Sequence, residues 1–316
     1  MKILFKSGNE DIATVYIAKM DSGKYLEFVE SLQPPLERSE KWVLIVSTLF
    51  GCPVGCPICD AGSYYNGKLS EKEIFSQIDF LIRKRFPDLK VNVKKFKIQF
   101  ARMGEPAFNT SVLNVLKNFN NHYEAPGFLP SISTVAPVGC NNFFSNLVSV
   151  KKDLYADGNF QMQFSVHSTS EKYRDIAIPV KKWSLREIAK YGNSFYNHGD
   201  RKITLNFAIS RDTPFLPEII EDVFNPEIFL IKLTPVNPTR TAVKNRLDNI
   251  LDLSRETELS KKIEKLRSAG FSIIESVGEL EENRIGSNCG QHLLEFLGRK
   301  KDRMFIPYEY KLEKLY

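Results

Sequence analysis

Val43-Leu44-Ile45-Val46-Ser47-Thr48-Leu49-Phe50-Gly51-Cys52-Pro53-Val54-Gly55-Cys56-Pro57-Ile58-Cys59-Asp60 joins an apolar, β-branched run to a turn-rich loop with three cysteines spaced C-x3-C-x2-C. The run from Val43 to Thr48 reads as a strand. Two glycines and two prolines between Gly51 and Pro57 keep the loop out of regular structure, so its thiolates can converge on one point. Three thiolates can hold three irons of a cubane and leave the fourth open, whereas a structural cluster takes four protein ligands. An open iron offers a position where a small molecule can chelate, much as catalytic zinc keeps one position free. The alternative is a zinc knot completed by Cys140, His167 or Cys289. Zinc sites usually bring their ligands as two close pairs, and the sequence has no second pair. The spacing therefore points to a 4Fe-4S cluster on Cys52, Cys56 and Cys59.

Working outward, 316 residues can bury a large core, as one barrel-like domain or two smaller ones. A hydrophobic share of 42% and a charged share of 26% match a soluble globular enzyme. No apolar run approaches the roughly 18 residues that cross a bilayer. The opening Met1-Lys2-Ile3-Leu4-Phe5-Lys6 is too short in apolar core for a signal peptide and soon meets Glu10 and Asp11. Five cysteines, odd in number and three of them clustered, argue against a disulfide framework and for a reducing cytoplasm. The net charge of +6 is mild. Its densest stretches are Arg83-Lys84-Arg85, followed by Lys90, Lys94, Lys95 and Lys97, and Arg299-Lys300-Lys301 with Arg303. Both read as solvated helix ends and loops before they read as a face for a polyanion.

No internal repeat is visible, and strand-like segments alternate with helix-like ones, which predicts parallel strands with crossover helices. After the cysteine loop, Ser70 opens a helix with a capping box closed by Glu73. That helix carries Ile74, Phe75, Ile78, Leu81 and Ile82 on one stripe and stops before Pro87. Further strands are predicted at about 96–101, 129–134, 161–166, 202–209 and 228–233. Helices are predicted at 111–119 and 256–269, the second capped by Gly270. A last strand, 271–275, leads into a polar loop with Cys289. The expected fold is α/β, a partial (β/α)6 barrel with a short N-terminal strand extension. Its segments are the extension over 1–40, the barrel with the Cys289 loop over 41–290, and a C-terminal helix and tail over 291–316.

In such a barrel, ligand groups belong on the loops after the strands' C-terminal ends. The chemistry-bearing residues fall there: the three cysteines after strand one and Gly104-Glu105-Pro106 after strand two. Ser133 ends strand three, Ser165-Val166-His167 follows strand four, and Asn237 follows strand six. Scattered core polar residues would not share one rim. His122 and His198 stand in loop-like segments without partners and read as surface residues.

C-x3-C-x2-C is the signature of the radical S-adenosylmethionine enzymes. In these, an amine and carboxylate chelate the open iron, and one electron passes into the adjacent sulfonium. Their usual form has an aromatic residue before the third cysteine, where this chain has Ile58. More closely, the chain resembles the radical SAM adenine-C2 RNA methyltransferases, RlmN and Cfr, from about Lys2 to Gln291. Leu4-Phe5-Lys6 through Ala13-Thr14-Val15-Tyr16-Ile17 looks like that family's N-terminal strand pair, and Val46-Ser47 through Cys59 looks like its cluster strand and loop. Met103-Gly104-Glu105-Pro106, Ser133-Thr134, Ser165-Val166-His167 and Pro235-Val236-Asn237-Pro238 resemble its cofactor-binding stations in the same order. Asn288-Cys289-Gly290-Gln291 resembles the loop of its methyl-accepting cysteine.

The resemblance implies that S-adenosyl-L-methionine is held by Gly104, Glu105, Ser133, Ser165, Val166, His167 and Asn237, with Glu105 on the methionyl ammonium. It implies that Cys289 takes a methyl group and carries it, as a thioether radical, to the substrate. An electron donor such as flavodoxin or ferredoxin would serve the cluster, with RNA among the candidate substrates and a monomer expected. Two positions depart from the family. Its release cysteine, seven residues before the first cluster cysteine, is Ile45 here, and its N-terminal base glutamate is matched by Ala13. The helical N-terminal domain that grips RNA has no counterpart in the roughly 50 residues before the cluster loop. Cys140 is the candidate to replace the missing thiol. A radical SAM enzyme using Cys289 as a hydrogen-atom donor, and a metal-stabilised binding module, are the competing readings.

Overall fold

The computed structural model describes residues 1–247, 257–276, 280–287, 292–298 and 310–315. Three antiparallel strands open the chain: β1 (Lys2–Asn9), β2 (Ala13–Lys19) and β3 (Tyr25–Ser31). β3 pairs antiparallel with β4 (Lys41–Val46), the first strand of the barrel. Next come the short β5 (Leu49–Gly51) and β6 (Tyr65–Lys68), which form their own two-stranded ribbon. The parallel array continues with β7 (Lys95–Phe100), β8 (Phe128–Thr134) and β9 (Gln161–Ser165). β10 (Ile203–Ile209), β11 (Phe229–Pro235) and β12 (Ile273–Glu275) complete it, and β13 (Glu313–Lys314) pairs with β1. Among the described residues the large sheet runs β12-β11-β10-β9-β8-β7-β4-β3-β2-β1-β13.

The crossover helices are α1 (Glu71–Arg85), α2 (Ser111–His122), α3 (Asn141–Leu154), α4 (Glu171–Ala177), α5 (Leu185–Phe195) and α6 (Pro217–Val223). Then follow α7 (Arg240–Lys244), α8 (Thr257–Ser268), α9 (Leu280–Ile285) and α10 (His292–Phe296). The Ser70–Glu73 capping box forms as the sequence predicts, and Ser184 with Glu187 repeats the device on α5. No helix among the described residues is long and apolar enough to cross a membrane.

Alternation along each parallel strand sorts its side chains between two faces. Trp42, Leu44, Val46, Phe96, Ile98 and Phe100 are fully buried in the core under the helices. Their neighbours Lys41, Val43, Ile45, Lys95, Lys97 and Gln99 are partly exposed and face the concave side. The fold is the expected α/β barrel type, with β12 adding a seventh parallel strand to the six units. The N-terminal pair is a meander of three. β3 was not legible because Glu27 and Glu30 interrupt its apolar pattern, yet both are buried. The cysteine loop was expected to be irregular throughout, but Leu49–Gly51 forms a strand. There Gly51 takes φ +81, and a Cβ would stand 1.5 Å from the Tyr64 carbonyl oxygen. Only glycine lets those backbones approach.

Candidate active site

The cysteine loop leaves β5 at Cys52, whose amide donates to the carbonyls of Ala61 (2.9 Å) and Tyr64 (3.0 Å). A turn follows in which the Cys59 amide donates to the Cys56 carbonyl at 3.1 Å. All three cysteines are partly buried. Cys52 and Cys56 pack with Phe108 and Tyr173 against a small apolar cluster of Val54, Val135, Ala177 and Ile178, separate from the main core. Burial pushes the Cys52 thiol up to about 11, and the nearby backbone amides of Val54, Glu105 and Gly55 offset part of that rise. A positive metal centre would hold such a sulfur as thiolate, and amides aimed at it would tune that centre. Three half-buried thiols beside an apolar wall fit a sulfur-ligated iron cluster. Among the described residues no three Cys, His, Asp or Glu side chains gather closely enough to hold a single metal ion, and Cys289 lies outside them. A cubane has no such requirement, because each thiolate meets a different iron.

Glu105 follows β7 at the same rim. Its carboxyl is buried at 4% exposure and accepts from the Thr134 hydroxyl, the Ala107 amide (3.0 Å) and the Val135 amide (2.8 Å). All three donors are neutral, and no ion pair reaches it among the described residues. Burial pushes this acid up to about 7 against those hydrogen bonds. A ligand ammonium would restore its charge. Gly104 precedes it with φ +99, where a Cβ would sit 2.5 Å from Leu49 Cβ. The glycine lets the Glu105 segment close onto Leu49, next to the cysteine loop.

Ser133 accepts from Gln163 Nε2 at 2.8 Å on the concave side. Ser165, the last residue of β9, is partly buried. Val166 is fully buried in the main core, and its amide donates to the Asn206 carbonyl at 2.9 Å. His167 takes φ +63, an unusual value for a residue with a Cβ. Its Nδ1 accepts from the Ala208 amide at 3.2 Å, so its proton sits on Nε2. Burial holds the imidazole down to about 4, with Arg174 adding to it, so it is a neutral donor at pH 7. Asn237 is partly buried after β11, its carbonyl accepting from Thr239.

The loop after β11 does something that local sequence did not reveal. Thr239 Oγ1 donates to the Ile58 carbonyl (3.0 Å), Asn245 Nδ2 to the Pro57 carbonyl (2.8 Å), and the Thr241 amide and hydroxyl to buried Asp60 (2.8 and 2.6 Å). These bonds span about 180 residues of chain and clamp the cysteine loop from above. The one sequence signal was the placement of both segments after strand ends.

A second unforeseen feature lies one residue before the glutamate motif. Arg102 pairs with Glu27 at 2.5 Å, both side chains wholly buried. Arg102 also donates to the carbonyls of Ser287 (2.6 Å) and Gly286 (2.9 Å), and Glu27 accepts from the Leu293 amide at 2.9 Å. One ion pair thus anchors described residues on both sides of 288–291. Cys289 itself lies outside the described residues, as do Arg299-Lys300-Lys301 and Arg303. The departures from the family pattern meet in one place: Ala13, Val15, Val29 and Ile285 form an apolar cluster against which Ile45 packs. Cys140 stands at the start of α3, its thiol raised by burial and by Glu105. Of the Arg83-Lys84-Arg85 run, Lys84 and Arg85 pair with Glu10 and Glu30, and Arg83 with Asp79.

No family model matches the chain. It is similar to the probable dual-specificity RNA methyltransferase RlmN of Desulfitobacterium hafniense, with 26% identity over 294 residues, 89% of this chain and 76% of that protein. The protein of the same description from Pseudothermotoga lettingae is 27% identical over 236 residues, 72% of this chain and 63% of its own. Among solved structures, a radical SAM methyltransferase from Sphaerobacter thermophilus superposes with a TM-score of 0.64 at 18% identity. That match covers 92% of this chain and 81% of the other, a likeness of fold.

Proposed function

We propose, from the premise that this chain is a divergent RlmN-like member of the radical SAM superfamily, that it moves a methyl-derived carbon through Cys289 to a substrate other than rRNA adenine. Cys52, Cys56 and Cys59 would hold a 4Fe-4S cluster. When bound, that cluster supplies the single electron, drawn from a flavodoxin- or ferredoxin-type donor, that splits S-adenosyl-L-methionine. The observation that carries the reading is Glu105: it stands at the rim beside the cysteine loop, and its buried carboxyl accepts from neutral donors only. One residue thereby couples the cluster loop to a cation site, and the ammonium of a chelating amino acid is the cation that fits.

The surrounding residues bind and exclude. The neutral His167 offers its Nε2 proton, and Ser133, Ser165 and Asn237 offer polar groups at the same rim for ribose, carboxylate or adenine. Val54, Val135 and Ile178 keep water from the cysteines. Cys289 loses its thiol proton and gains the methyl of one cofactor molecule, releasing S-adenosylhomocysteine. Arg102 and Glu27 steady the chain on both sides of that loop. Ala13 and Ile45, which share one apolar cluster, support a substrate other than rRNA adenine, since neither residue supplies the thiol that would displace an adduct or the carboxylate that would take a proton.

The test is anaerobic incubation of cluster-reconstituted protein with S-adenosyl-L-methionine and a reductant, followed by intact mass and nucleoside analysis. A methyl on Cys289, with both S-adenosylhomocysteine and 5′-deoxyadenosine formed, supports the carrier. Absence of any Cys289 methyl under turnover overturns it. The same apolar cluster favours a second reading, in which Cys289 donates a hydrogen atom and needs no release group. That reading gives 5′-deoxyadenosine without S-adenosylhomocysteine.

A further inference from the structure

Two different supports hold the cysteine loop. Cys52 and Cys56 rest on the apolar cluster of Val54, Val135, Ala177 and Ile178. The stretch around Cys59 is held by hydrogen bonds from the loop after β11. Asn245 Nδ2 donates to the Pro57 carbonyl at 2.8 Å, and Thr239 Oγ1 donates to the Ile58 carbonyl at 3.0 Å. Thr241 donates through its amide and its hydroxyl to one oxygen of Asp60, at 2.8 and 2.6 Å. Pro57 and Ile58 are the two residues between the second and third cysteines, and Asp60 directly follows the third. The turn that carries Cys59 is thus gripped on both sides, by residues 181 to 188 positions later in the chain.

The gripping segment is itself fixed. The Val236 amide donates to the Ile209 carbonyl at 3.1 Å, which ties the start of the loop to the end of β10. Thr239 Oγ1 accepts from the Ala242 amide at 3.0 Å while it donates to Ile58, so one hydroxyl caps α7 and staples the cysteine turn. Ala242 is wholly buried and seats α7. Asp60 is wholly buried too, and its second carboxyl oxygen has no hydrogen-bond partner among the described residues. Its side chain therefore depends on Thr241. Taking away one of those donors leaves a buried polar group less satisfied, and the turn gains by moving out towards water. Cys59 would move with it, because its amide donates to the Cys56 carbonyl and its carbonyl accepts from the Gly62 amide within the same turn.

We propose that Asp60, Thr239, Thr241 and Asn245 form a latch that positions the Cys59 sulfur independently of Cys52 and Cys56, and with it the iron that this sulfur would hold. The latch belongs to the folded chain, and only the iron rests on the function proposed above. Two anchored sulfurs leave a cubane free to turn about the line that joins them, and the third sets where its open iron points. The loop after β11, which begins with Val236 and Asn237, therefore does more than line the cofactor rim: it aims the cluster at that rim. All four are positioning residues that act through the turn.

The experiment is anaerobic alkylation of the metal-free, full-length protein with iodoacetamide, each cysteine followed separately by tandem mass spectrometry. Thr241→Val should make Cys59 react roughly fivefold faster, the scale of one hydrogen bond, with Cys52 and Cys56 staying within about twofold of the parent. Thr241→Ser keeps the hydroxyl and should match the parent. Asn245 is exposed, so Asn245→Ala leaves the core intact and should speed Cys59 by roughly twofold or more. Ser184→Ala removes the α5 cap and lowers the melting temperature, yet should leave all three cysteines unchanged. Cys59 no faster in Thr241→Val and Asn245→Ala, or all three cysteines faster together, overturns the latch. After cluster reconstitution, Thr241→Val should lose iron to a chelator roughly fivefold faster and shift the electron paramagnetic resonance spectrum of the reduced cluster. Faster Cys59 alkylation with iron loss and spectrum like the parent's would overturn the positioning of the iron. A parent that takes up no cubane would refute the catalytic reading, and the alkylation pattern would still decide the latch.

Discussion

Replacing Arg102 by methionine should loosen the C-terminal part of the chain more than any other single change at the rim. The guanidinium and Glu27 meet at 2.5 Å with neither side chain exposed, and Arg102 also holds the Ser287 and Gly286 carbonyls. Removing one partner of a buried pair typically costs about 3–5 kcal/mol, because the other charge is stranded. Glu27 has a partial escape: burial already pushes its carboxyl above the usual range, and losing Arg102 would push it further towards the neutral acid. The lower end, about 3 kcal/mol, is therefore expected, a fall of roughly 5 °C or more in melting temperature for a chain this long. The loss should be local first. Hydrogen exchange in 280–287 and 292–298 should speed up well before the core strands β7 and β8 respond. Arg102→Met/Glu27→Leu should recover part of the loss, since paired apolar replacements of a buried ion pair are often neutral. If Arg102→Met melts within about 1 °C of the parent and those segments exchange no faster, the anchoring role is wrong.

Other consequences follow from the same geometry. Glu105→Gln keeps the shape of the side chain but loses its charge and one of its two acceptor oxygens. It should weaken S-adenosyl-L-methionine binding by roughly 10- to 100-fold, the value of a charge-assisted bond, as read by equilibrium dialysis. Equal affinity in the two proteins would remove Glu105 from the ammonium site. His167 stays neutral when folded down to about pH 4 but takes a proton from about pH 6.5 when unfolded. The unfolded state thus binds more protons in that window, and stability should fall by about 3 kcal/mol as pH drops from 6.5 to 4. His292 is held down to about 4 by burial and adds in the same direction. His167→Asn should flatten part of that slope in urea titrations at successive pH values; an unchanged slope would refute the assignment. Gly104→Ala forces a side chain at φ +99 against Leu49, 2.5 Å away. It should cost about 2–3 kcal/mol and reduce cluster retention after reconstitution.

Local chemistry determined much of this protein by itself. The C-x3-C-x2-C spacing, the Ser70–Glu73 box, the glycine before Glu105 and the alternation of strand and helix are written within a few residues of each other. The structure realises the helix cap, the strand order and the α/β class they imply. The rim location of Cys52, Glu105, His167 and Asn237 was legible for the same reason, because strand ends point one way in a parallel sheet. The absence of a thiol at Ile45 and of a carboxylate at Ala13 could also be read directly. That those two positions share one apolar cluster could not.

What the sequence left hidden depends on partners far along the chain. Glu27 and Glu30 hide β3 in the sequence, and their burial makes sense only once Arg102, Lys84 and Arg85 arrive from elsewhere. Arg83-Lys84-Arg85 and Lys95 to Lys97 look like one basic stretch, yet the first group ends a helix beside carboxylates and the second lines the barrel's hollow. Asp60 acquires its partner, Thr241, 181 residues later. Charge and hydrogen bonding are settled by distance in space, and only the folded chain brings Glu27 to Arg102 and Asp60 to Thr241. The sequence by itself determined which chemical groups stand at the rim. The tertiary structure decided which of them are neutralised and which are clamped.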